Sequence, residues 1–341
     1  MAKVFVIPDI HLKPWIFDKA EEWLSKNEYD QIVCLGDIAD DWNQGLNIGL
    51  YRKTFSALTS FAKNHPNMLF CYGNHDVSYM WEALETGYSD AARESVLYGL
   101  DTLKLALPPE NIAFIHRIDN VLFSHSGLTE LFVSHFFPDW QEKGDFNDLI
   151  KRINASGKTE MWCDVSPIWA RPQDGDLELY GSFMQIVGHT PVKKTDHFGN
   201  LLTVDNFSTY HDSTPIGDQR FVWVDTTFRQ WGFVDNGDMP ETSANNRISD
   251  IRNYRTGDWV LFRISKSEGE YEYREGIVEI IDRYPDGFSS IDVMCKNILY
   301  KHIPLADVLD RIRVGIDGDS CVLPPRWESS PGKIMERKSC D

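Results

Sequence analysis

Five short motifs in the first 191 residues carry side chains that can bind metal ions. The motifs are Asp9-Ile10-His11, Gly36-Asp37-Ile38-Ala39-Asp40, Gly73-Asn74-His75-Asp76, Ser124-His125-Ser126-Gly127 and Gly188-His189-Thr190-Pro191. Carboxylate, amide and imidazole groups are suitable ligands for hard or borderline divalent metals. A single Asp-x-His occurs by chance in many chains, whereas an ordered series that follows apolar runs is specific. The series predicts a site for two divalent metal ions.

The apolar runs around the first three motifs have the patterns of strands and helices in alternation. Strands are predicted at 3–7, 31–35 and 68–72, and helices at 15–27 and 50–64. This is a βαβαβ order, which is typical of a parallel sheet. Because open α/β sheets place their functional loops at the carboxyl ends of the strands, we expect the motifs to converge there.

The next part of the chain predicts a second sheet. A helix is expected at about 89–106, and a polar and aromatic insertion at about 128–180. Short strands are predicted at 112–116, 120–124, 184–187, 200–204, 220–225 and 228–234. These late strands are too many for one doubly wound sheet and indicate a second sheet packed on the first. We therefore predict an α/β fold in the form of a four-layer αββα sandwich.

A change in composition near residues 236–250 indicates a second domain. Beyond it, β-like runs occupy 259–264, 275–281 and 290–295, and a short helix is predicted at 305–312. We interpret this region as a small SH3-like all-β barrel. The predicted division is a large domain at 1–240, a linker at 241–250, the barrel at 251–321 and a poorly ordered tail at 322–341.

The composition narrows the class of partner. Asp and Glu outnumber Lys and Arg by 52 to 34, which gives a formal net charge of −18. An acidic surface repels long polyanions, because affinity for nucleic acid comes largely from Lys and Arg. No apolar run approaches the roughly 18 residues that span a bilayer, and the N-terminus lacks a signal-peptide pattern. We therefore expect a cytoplasmic protein with no membrane partner and no long nucleic acid partner.

The five motifs resemble those of the calcineurin-like metallophosphoesterases. Within that superfamily they are most similar to the phosphoprotein phosphatase branch, including its bacterial and phage members. The resemblance extends over residues 3–235 and does not cover the barrel. It implies a metallophosphoesterase sandwich that hydrolyses phosphate esters with two divalent ions, Mn²⁺ being expected and Fe or Zn being alternatives.

The resemblance also implies a role for each matched residue. Asp9 and His11 would bind the first metal, and Asp37 would bridge both. Asn74, His125 and His189 would complete the site of the second metal. His75 would be the proton donor and Asp40 its orienting partner. A carboxylate bridge holds two ions about 3.5–4 Å apart, where bound water becomes a hydroxide nucleophile near neutral pH. His75 would protonate the leaving group on the opposite side.

Three further residues are candidates for substrate binding. Arg171 lies in a segment, residues 166–172, that is similar to one preceding the Gly-His-Thr motif in phage-type members. Its guanidinium matches a phosphate group bidentately, although stacking on Trp169 alone would also explain it. Tyr210 and His211 follow a predicted strand in a region where the family has a loop near the mouth of the active site.

Three departures from the branch pattern leave the substrate open. Leu12 stands where the first motif usually has Gly, Asp41 where the branch has a phosphate-binding Arg, and Asp76 where it has Glu. The leading hypothesis is a phosphomonoesterase that acts on phosphoprotein or on a small phosphorylated metabolite. The alternative is a phosphodiesterase or nucleotide pyrophosphatase acting on dinucleoside polyphosphates, cyclic nucleotides or RNA ends.

A third hypothesis is a metal-bound scaffold whose working module is the barrel. The presence of both His75 and Asp40 argues against it, since a scaffold needs no proton donor. The barrel itself is expected to bind a protein partner or to mediate assembly.

Overall fold

The computed structural model describes residues 2–140, 145–175, 177–237, 256–267, 270–283, 289–296, 298–304, 308–313 and 333–335. The chain divides into two compact units, Met1–Glu241 and Thr242–Asp341. The linker predicted at 241–250 lies outside the described residues, and so does the predicted tail apart from 333–335. The predicted domain boundaries therefore stay a prediction.

In the first unit, helices and strands alternate over the N-terminal third. The helices are α1 Trp15–Leu24, α2 Ile48–Asn64, α3 Asn74–Trp81, α4 Arg93–Ala106, α5 Glu130–Phe136, α6 Phe146–Asn154 and α7 Lys158–Met161. The strands are β1 Lys3–Ile7, β2 Gln31–Cys34, β3 Leu69–Cys71, β4 Ile112–Ala113, β5 Ile115–Ile118, β6 Val121–Ser124, β7 Met184–Val187, β8 Asp196–Phe198, β9 Leu201–Thr203, β10 Val222–Asp225 and β11 Gln230–Phe233. The predicted βαβαβ order is confirmed, whereas α3, α5, α6, α7 and β8 were not predicted. Within the described residues, each helix is too short or too polar to cross a bilayer.

These strands form two sheets. The first has the order β11-β10-β1-β2-β3-β4, in which β1 to β4 run parallel and β10 is antiparallel to β1. The second has the order β5-β6-β7-β9-β8, in which β6, β7 and β9 run parallel. Each sheet therefore collects the carboxyl ends of its parallel strands at one edge.

Alternating side chains of β1 belong to two different cores. Val4 and Val6 are buried in the cluster that also contains Phe123 of the second sheet. Phe5 and Ile7 belong to the cluster that contains the apolar faces of the helices. Since successive side chains of a strand point to opposite faces, the two sheets pack against each other and helices cover the outside. The predicted mixed α/β fold with two sheets is confirmed.

The second unit is all β in its described residues. Its strands are β12 Trp259–Ser267, β13 Glu270–Arg283, β14 Ser289–Cys295, β15 Ile298–Pro304, β16 Val308–Arg313 and β17 Lys333–Met335, in the sheet order β16-β12-β13-β14-β15-β17. Val260, Phe262, Val278, Ile291 and Val293 are buried in one core. A C-terminal all-β sheet is thus present, while the SH3-like barrel stays a prediction.

The prediction of a helix at 305–312 is wrong. Residues Val308–Arg313 form β16, which pairs antiparallel with β12 and places Val308 opposite Phe262. Val308 is fully buried in the core of the second unit. Backbone pairing with β12 and burial of Val308 outweigh the local helical pattern, because strand formation depends on neighbouring strands.

Helices α2 and α4 approach closely at Gly99. A Cβ atom at this position would lie 2.3 Å from Cγ of buried Phe55, whereas the nearest atom to a Cβ at Gly49 of α2 would be Asn47 Oδ1 at 3.9 Å. We expect Gly99→Ala to lower the free energy of unfolding by about 1–3 kcal/mol through overpacking. Gly49→Ala, the matched control, should be neutral or stabilising by up to about 1 kcal/mol. Urea denaturation of the full chain measures both, and equal stability of the two variants would contradict this packing.

Candidate active site

The six predicted metal ligands come together where the parallel strands end. Asp9 follows β1, Asp37 follows β2 and Asn74 follows β3, all in the first sheet. His125 directly follows β6 and His189 follows β7, in the second sheet. The sixth, His11, belongs to the same loop as Asp9. Because the sheets face each other, these ends lie at a shared edge.

The backbone at this edge adopts an unusual conformation. Positive φ angles occur at His11 (42°), Leu12 (56°), Asp37 (46°), Asp40 (63°) and His189 (62°). A residue with a side chain rarely adopts this left-handed region, and each instance costs roughly 1–2 kcal/mol. The sharp turns that result direct the side chains of different loops toward one place.

Backbone hydrogen bonds join the loops to one another. His11 N donates to the carbonyl of Asp37 at 2.8 Å, and Leu12 N donates to that of Ile38 at 3.1 Å. Gly188 N donates to the carbonyl of His125 at 2.8 Å, which joins the two loops of the second sheet. His189 N donates to Asp9 Oδ2 at 2.8 Å and links the two sheets.

Asp76, one of the departures from the branch pattern, connects two of the loops. Its carboxylate accepts hydrogen bonds from the backbone N–H groups of Asp37, Ile38 and Gly73, each at 2.9 Å. Asp76 is fully buried, so these donors replace its hydration. The residue therefore holds the Asp37 loop against the start of α3.

One group of ligand atoms surrounds Nε2 of His125. This nitrogen lies 3.2 Å from Asp37 Oδ2, 3.0 Å from Asn74 Oδ1 and 3.2 Å from His189 Nδ1. Atoms that bind one ion at about 2.0–2.2 Å lie roughly 3 Å apart. The spacing suits a cation held among these four residues.

A second group shares Asp37 with the first. Asp37 Oδ2 also lies 3.8 Å from Nε2 of His11, and that nitrogen lies 4.0 Å from Asp9 Oδ2. A single carboxylate oxygen thus faces both groups. Among the described residues, three sets of possible metal ligands have their ligand atoms within 4.8 Å of one another, namely His11, Asp37 and His75; Asp37, His125 and His189; and Asp40, His75 and Glu85.

Backbone carbonyls fix the orientation of two imidazoles. Nδ1 of His11 donates to the carbonyl of Asp40 at 3.0 Å, and Nδ1 of His125 donates to that of Leu35 at 2.9 Å. In the neutral form of each ring the lone pair is on Nε2, the atom that faces the carboxylates. Hydrogen bonding of the second ring nitrogen is the usual arrangement around a metal-binding His.

Two further observations show that the residues fit divalent ions. Asp9 Oδ1 is buried and has no hydrogen-bond partner among the described residues, which costs about 1–3 kcal/mol for an ordinary polar group and more for a charged one. A bound cation would supply the missing partner. Cβ atoms would lie 1.8 Å from Asp9 Oδ1 at Gly188, and 2.0 Å from Asp37 Oδ1 at Gly73. Only glycine allows the carboxylates to approach so closely.

The charge states of the carboxylates depend on cations. Burial, together with the carboxylates of Asp205 and Asp37, raises the pKa of Asp9 well above its ordinary value. Burial also disfavours ionised Asp37, but the nearby His125 and His75 outweigh it and hold the pKa of Asp37 below its usual range. A divalent ion beside these groups would favour the ionised form of both.

Burial lowers the pKa of two of the imidazoles. The pKa of His11 is lowered chiefly by burial, and that of His189 is lowered strongly by burial and by nearby His125 and Arg171. Neutral imidazole is the form that binds metals, so both residues are prepared to act as ligands.

His75 has the opposite charge preference. Its Nδ1 donates to Asp40 Oδ2 at 3.0 Å and lies 3.6 Å from Glu85 Oε1. Burial opposes the charged form, but Asp37, the hydrogen bond to Asp40 and the charge of Glu85 outweigh it and raise the pKa of His75 to about 10. These neighbours favour the protonated form of His75, which is the form that a general acid requires.

Glu85 was not predicted from the sequence. It lies between α3 and α4, outside every motif, and its Oε2 accepts a hydrogen bond from Asn74 Nδ2 at 2.6 Å. This bond leaves Oδ1 of Asn74 directed toward His125. Nothing in the spacing of residues 82–88 distinguishes Glu85 from other acidic loop residues.

The predicted substrate residues occupy two places. Arg171 lies beside His189, since its Nη1 donates to Thr190 Oγ1 at 3.1 Å and to the carbonyl of His189 at 3.5 Å. His211 lies on the loop after β9, where its ring packs against Trp42 with 3.6 Å between the centroids and 30° between the ring planes. Tyr210, on the same loop, is 49% exposed. This loop borders residues 41–43, which follow Asp40.

Asp41, which stands where the branch has Arg, is paired with a cation. Its Oδ2 lies 3.1 Å from Lys13 Nζ, and its Oδ1 accepts a hydrogen bond from Thr209 Oγ1 at 3.1 Å. Lys13 was not predicted from the sequence. Its ammonium group neutralises the charge of Asp41.

The fold and this site define an α/β protein with a candidate metal centre at the edge of two facing sheets. The sequence model of the calcineurin-like phosphoesterases matches residues 2–211, which is more than half of the chain. The chain belongs to this family. Its members are metal-dependent hydrolases of phosphoric esters, so the predicted superfamily is confirmed, while the phosphoprotein phosphatase branch stays a prediction.

Several solved structures are similar to the chain at low identity. They include a protein serine/threonine phosphatase from Saccharomyces cerevisiae, with 17% identity, a TM-score of 0.40, and coverage of 65% of this chain and 72% of that one. An archaeal phosphodiesterase has 13% identity, a TM-score of 0.29, and coverage of 68% and 98%. A metallophosphoesterase from Sphaerobacter thermophilus has 14% identity, a TM-score of 0.32, and coverage of 68% and 86%. No curated protein matches the chain.

At a buried helical position the Ala variant is usually more stable than the Gly variant. The left-handed backbone of Leu12 is expected to reverse this order of stability. Its side chain is buried, so both Leu12→Gly and Leu12→Ala lose roughly 2–5 kcal/mol of core packing. Gly alone relieves the backbone strain, worth about 1 kcal/mol. We expect Leu12→Gly to be more stable than Leu12→Ala, as measured by urea denaturation. At Leu58 of helix α2, a matched buried position, the Ala variant should be the more stable one. A less stable Gly variant at position 12 would contradict the strained backbone.

Proposed function

We propose that this protein is a dinuclear metal-dependent phosphatase that hydrolyses phosphate monoesters, in a phosphoprotein or in a small phosphorylated metabolite. One observation carries the proposal. Asp37 Oδ2 lies 3.8 Å from His11 Nε2 and 3.2 Å from His125 Nε2, beside the His75–Asp40 pair. Such a carboxylate can bridge two ions next to a proton donor.

The proposed ligands divide into two sets that share one residue. Asp9, His11 and Asp37 would hold one ion, and Asp37, Asn74, His125 and His189 would hold the other. We propose Mn²⁺ in both positions, with Fe or Zn as alternatives. Bound in such a pair, the ions supply Lewis acidity to the phosphoryl oxygens and activate water.

His75 supplies the proton for the leaving group. Because Nδ1 is hydrogen bonded to Asp40, Nε2 is the nitrogen available to substrate. As the bond between phosphorus and the leaving oxygen breaks, the proton on Nε2 passes to that oxygen. Asp40 keeps the ring oriented and stabilises its positive charge.

Arg171 supports the choice of a monoester. Its guanidinium group is held beside His189 by Thr190 and by a backbone carbonyl. A planar guanidinium can donate two parallel hydrogen bonds to the terminal oxygens of a phosphoryl group. Tyr210 and His211 would contact the rest of the substrate.

The alternative is a phosphodiesterase or nucleotide pyrophosphatase. It is favoured by the pairing of Lys13 with Asp41, since an ammonium already neutralised by a carboxylate adds little positive charge for the terminal oxygens of a monoester. The C-terminal unit is proposed to bind a protein partner or to mediate assembly. A cytoplasmic location stays a prediction.

A turnover panel tests the substrate class. The metal-stripped protein is loaded with Mn²⁺, Fe²⁺ or Zn²⁺ and assayed with p-nitrophenyl phosphate, its bis-ester, a phosphopeptide and a dinucleoside polyphosphate. We expect the highest kcat/KM for a monoester with Mn²⁺, because a monoester has a third terminal oxygen that Arg171 and the metal ions can bind, whereas a diester has only two. Preference for the bis-ester or for the dinucleoside polyphosphate would establish the alternative.

Substitution of two residues separates proton donation from metal binding. His75→Asn should lower turnover by about 10²–10⁴-fold, the usual contribution of a general acid, while two metal ions remain bound per chain. Asp37→Asn should lose at least one ion, because both ligand sets include this carboxylate. Metal content by mass spectrometry and turnover with p-nitrophenyl phosphate and its bis-ester give both results. Wild-type turnover in the His75 variant would refute its role.

A further inference from the structure

Two tyrosines from different helices bind the same oxygen of Asp40. Tyr51 of α2 donates its hydroxyl proton to Asp40 Oδ1 at 2.6 Å, and Tyr79 of α3 donates to the same oxygen at 2.5 Å. The other oxygen, Oδ2, accepts from Nδ1 of His75 at 3.0 Å. Each oxygen of the carboxylate therefore has its own partners.

Both tyrosines are held rigidly. Their side chains are fully buried, in the core cluster that lies under the helices. The hydroxyl of Tyr79 also accepts a hydrogen bond from Ser89 N at 2.9 Å, and its ring stacks on Tyr88 with 4.5 Å between the centroids. Two rigid donors on Oδ1 fix the plane of the carboxylate, and with it the position of Oδ2.

The hydroxyls remain donors under ordinary conditions. Burial and the negative charge of Asp40 raise the pKa of Tyr51 and of Tyr79 well above the ordinary value. An O–H donor to a carboxylate at 2.5–2.7 Å forms a strong, charge-assisted hydrogen bond. Asp40 is itself buried and has a strained backbone, with φ at 63°, so water does not replace these donors readily.

Glu85 is a second carboxylate that could accept the hydrogen bond from Nδ1 of His75 in place of Asp40. Its Oε1 lies 3.6 Å from Nδ1 of His75, close enough to take over that nitrogen after a small rotation of the ring. If Asp40 rotated, His75 would turn toward Glu85 and Nε2 would move away from the leaving oxygen. A displacement of about 1 Å in a reacting group can cost 10²-fold in rate.

We propose that Tyr51 and Tyr79 are positioning residues for the proton donor, which hold Asp40 so that its second oxygen fixes the ring of His75. This inference rests on the proposed function, in which His75 protonates the leaving group. Neither tyrosine contacts the reacting atoms. Their effect passes through Asp40, from the helices to the catalytic loop.

The dependence of turnover on the leaving group tests this role. A good leaving group such as p-nitrophenolate departs with little help from an acid, whereas phenolate needs the proton. We expect Tyr51→Phe/Tyr79→Phe to lower kcat for the phenyl ester at least about tenfold more than for the p-nitrophenyl ester, a fraction of the full contribution of a general acid. The mono- or bis-ester is used, according to which the wild type hydrolyses.

Three controls make the result specific. Tyr72→Phe removes a hydroxyl from the same buried cluster and should keep the wild-type ratio of the two rates. Metal content should remain two ions per chain in every Phe variant, which separates positioning from metal loss. If the double variant does not fold, Tyr51→Phe and Tyr79→Phe alone should each shift the ratio in the same direction by a smaller factor.

The outcomes distinguish the inference from the proposed function. If His75→Asn changes the ratio but the tyrosine variants do not, the positioning role is wrong and the proton donor stands. If His75→Asn itself leaves the ratio unchanged, the proposed donor is wrong, and the positioning role is overturned with it. A change in the ratio for both, with metals retained, supports the inference.

Discussion

The buried carboxylate of Asp37 is the group on which the rest of the site depends. Oδ2 lies between His11 and His125, and Oδ1 accepts a hydrogen bond from the backbone N–H of His75 at 3.0 Å. Its own N–H donates to Asp76, and its carbonyl accepts from His11 N. Through one residue, the first three motifs of the chain are joined to one another and, by way of His125, to the second sheet.

This arrangement stores strain and offsets it locally. Five residues of the site have left-handed backbones, at roughly 1–2 kcal/mol each. Against this stand hydrogen bonds between the loops, such as the three that the buried carboxyl group of Asp76 accepts. These hydrogen bonds join the Asp37 loop to the start of α3.

The sequence predicts the parts of this site that are encoded locally. A motif directly after an apolar strand places its side chains at the sheet edge, so the convergence of the candidate ligands from Asp9 to His189 could be predicted from the sequence. Tyr51, Tyr79 and Glu85 could not. They reach the site from helices and from a loop, by the packing of α2 and α3 against the first sheet, and no spacing in the sequence records that packing. The strand at Val308–Arg313 was missed for the same reason, because it exists only through its pairing with β12.

The negatively charged groups beside His75 can be explained by the candidate metal ligands next to it. The ring of His75 lies 5.2 Å from that of His11, so any divalent ion held by His11 and Asp37 would repel an imidazolium and lower its pKa. A proton donor in this place needs compensating negative charge. Asp40 supplies it at Nδ1 of the ring, and the two tyrosine hydroxyls donate hydrogen bonds to the other oxygen of its carboxylate. Divalent ions bound there would therefore make the carboxylate at Nδ1 necessary for the ring of His75 to stay protonated.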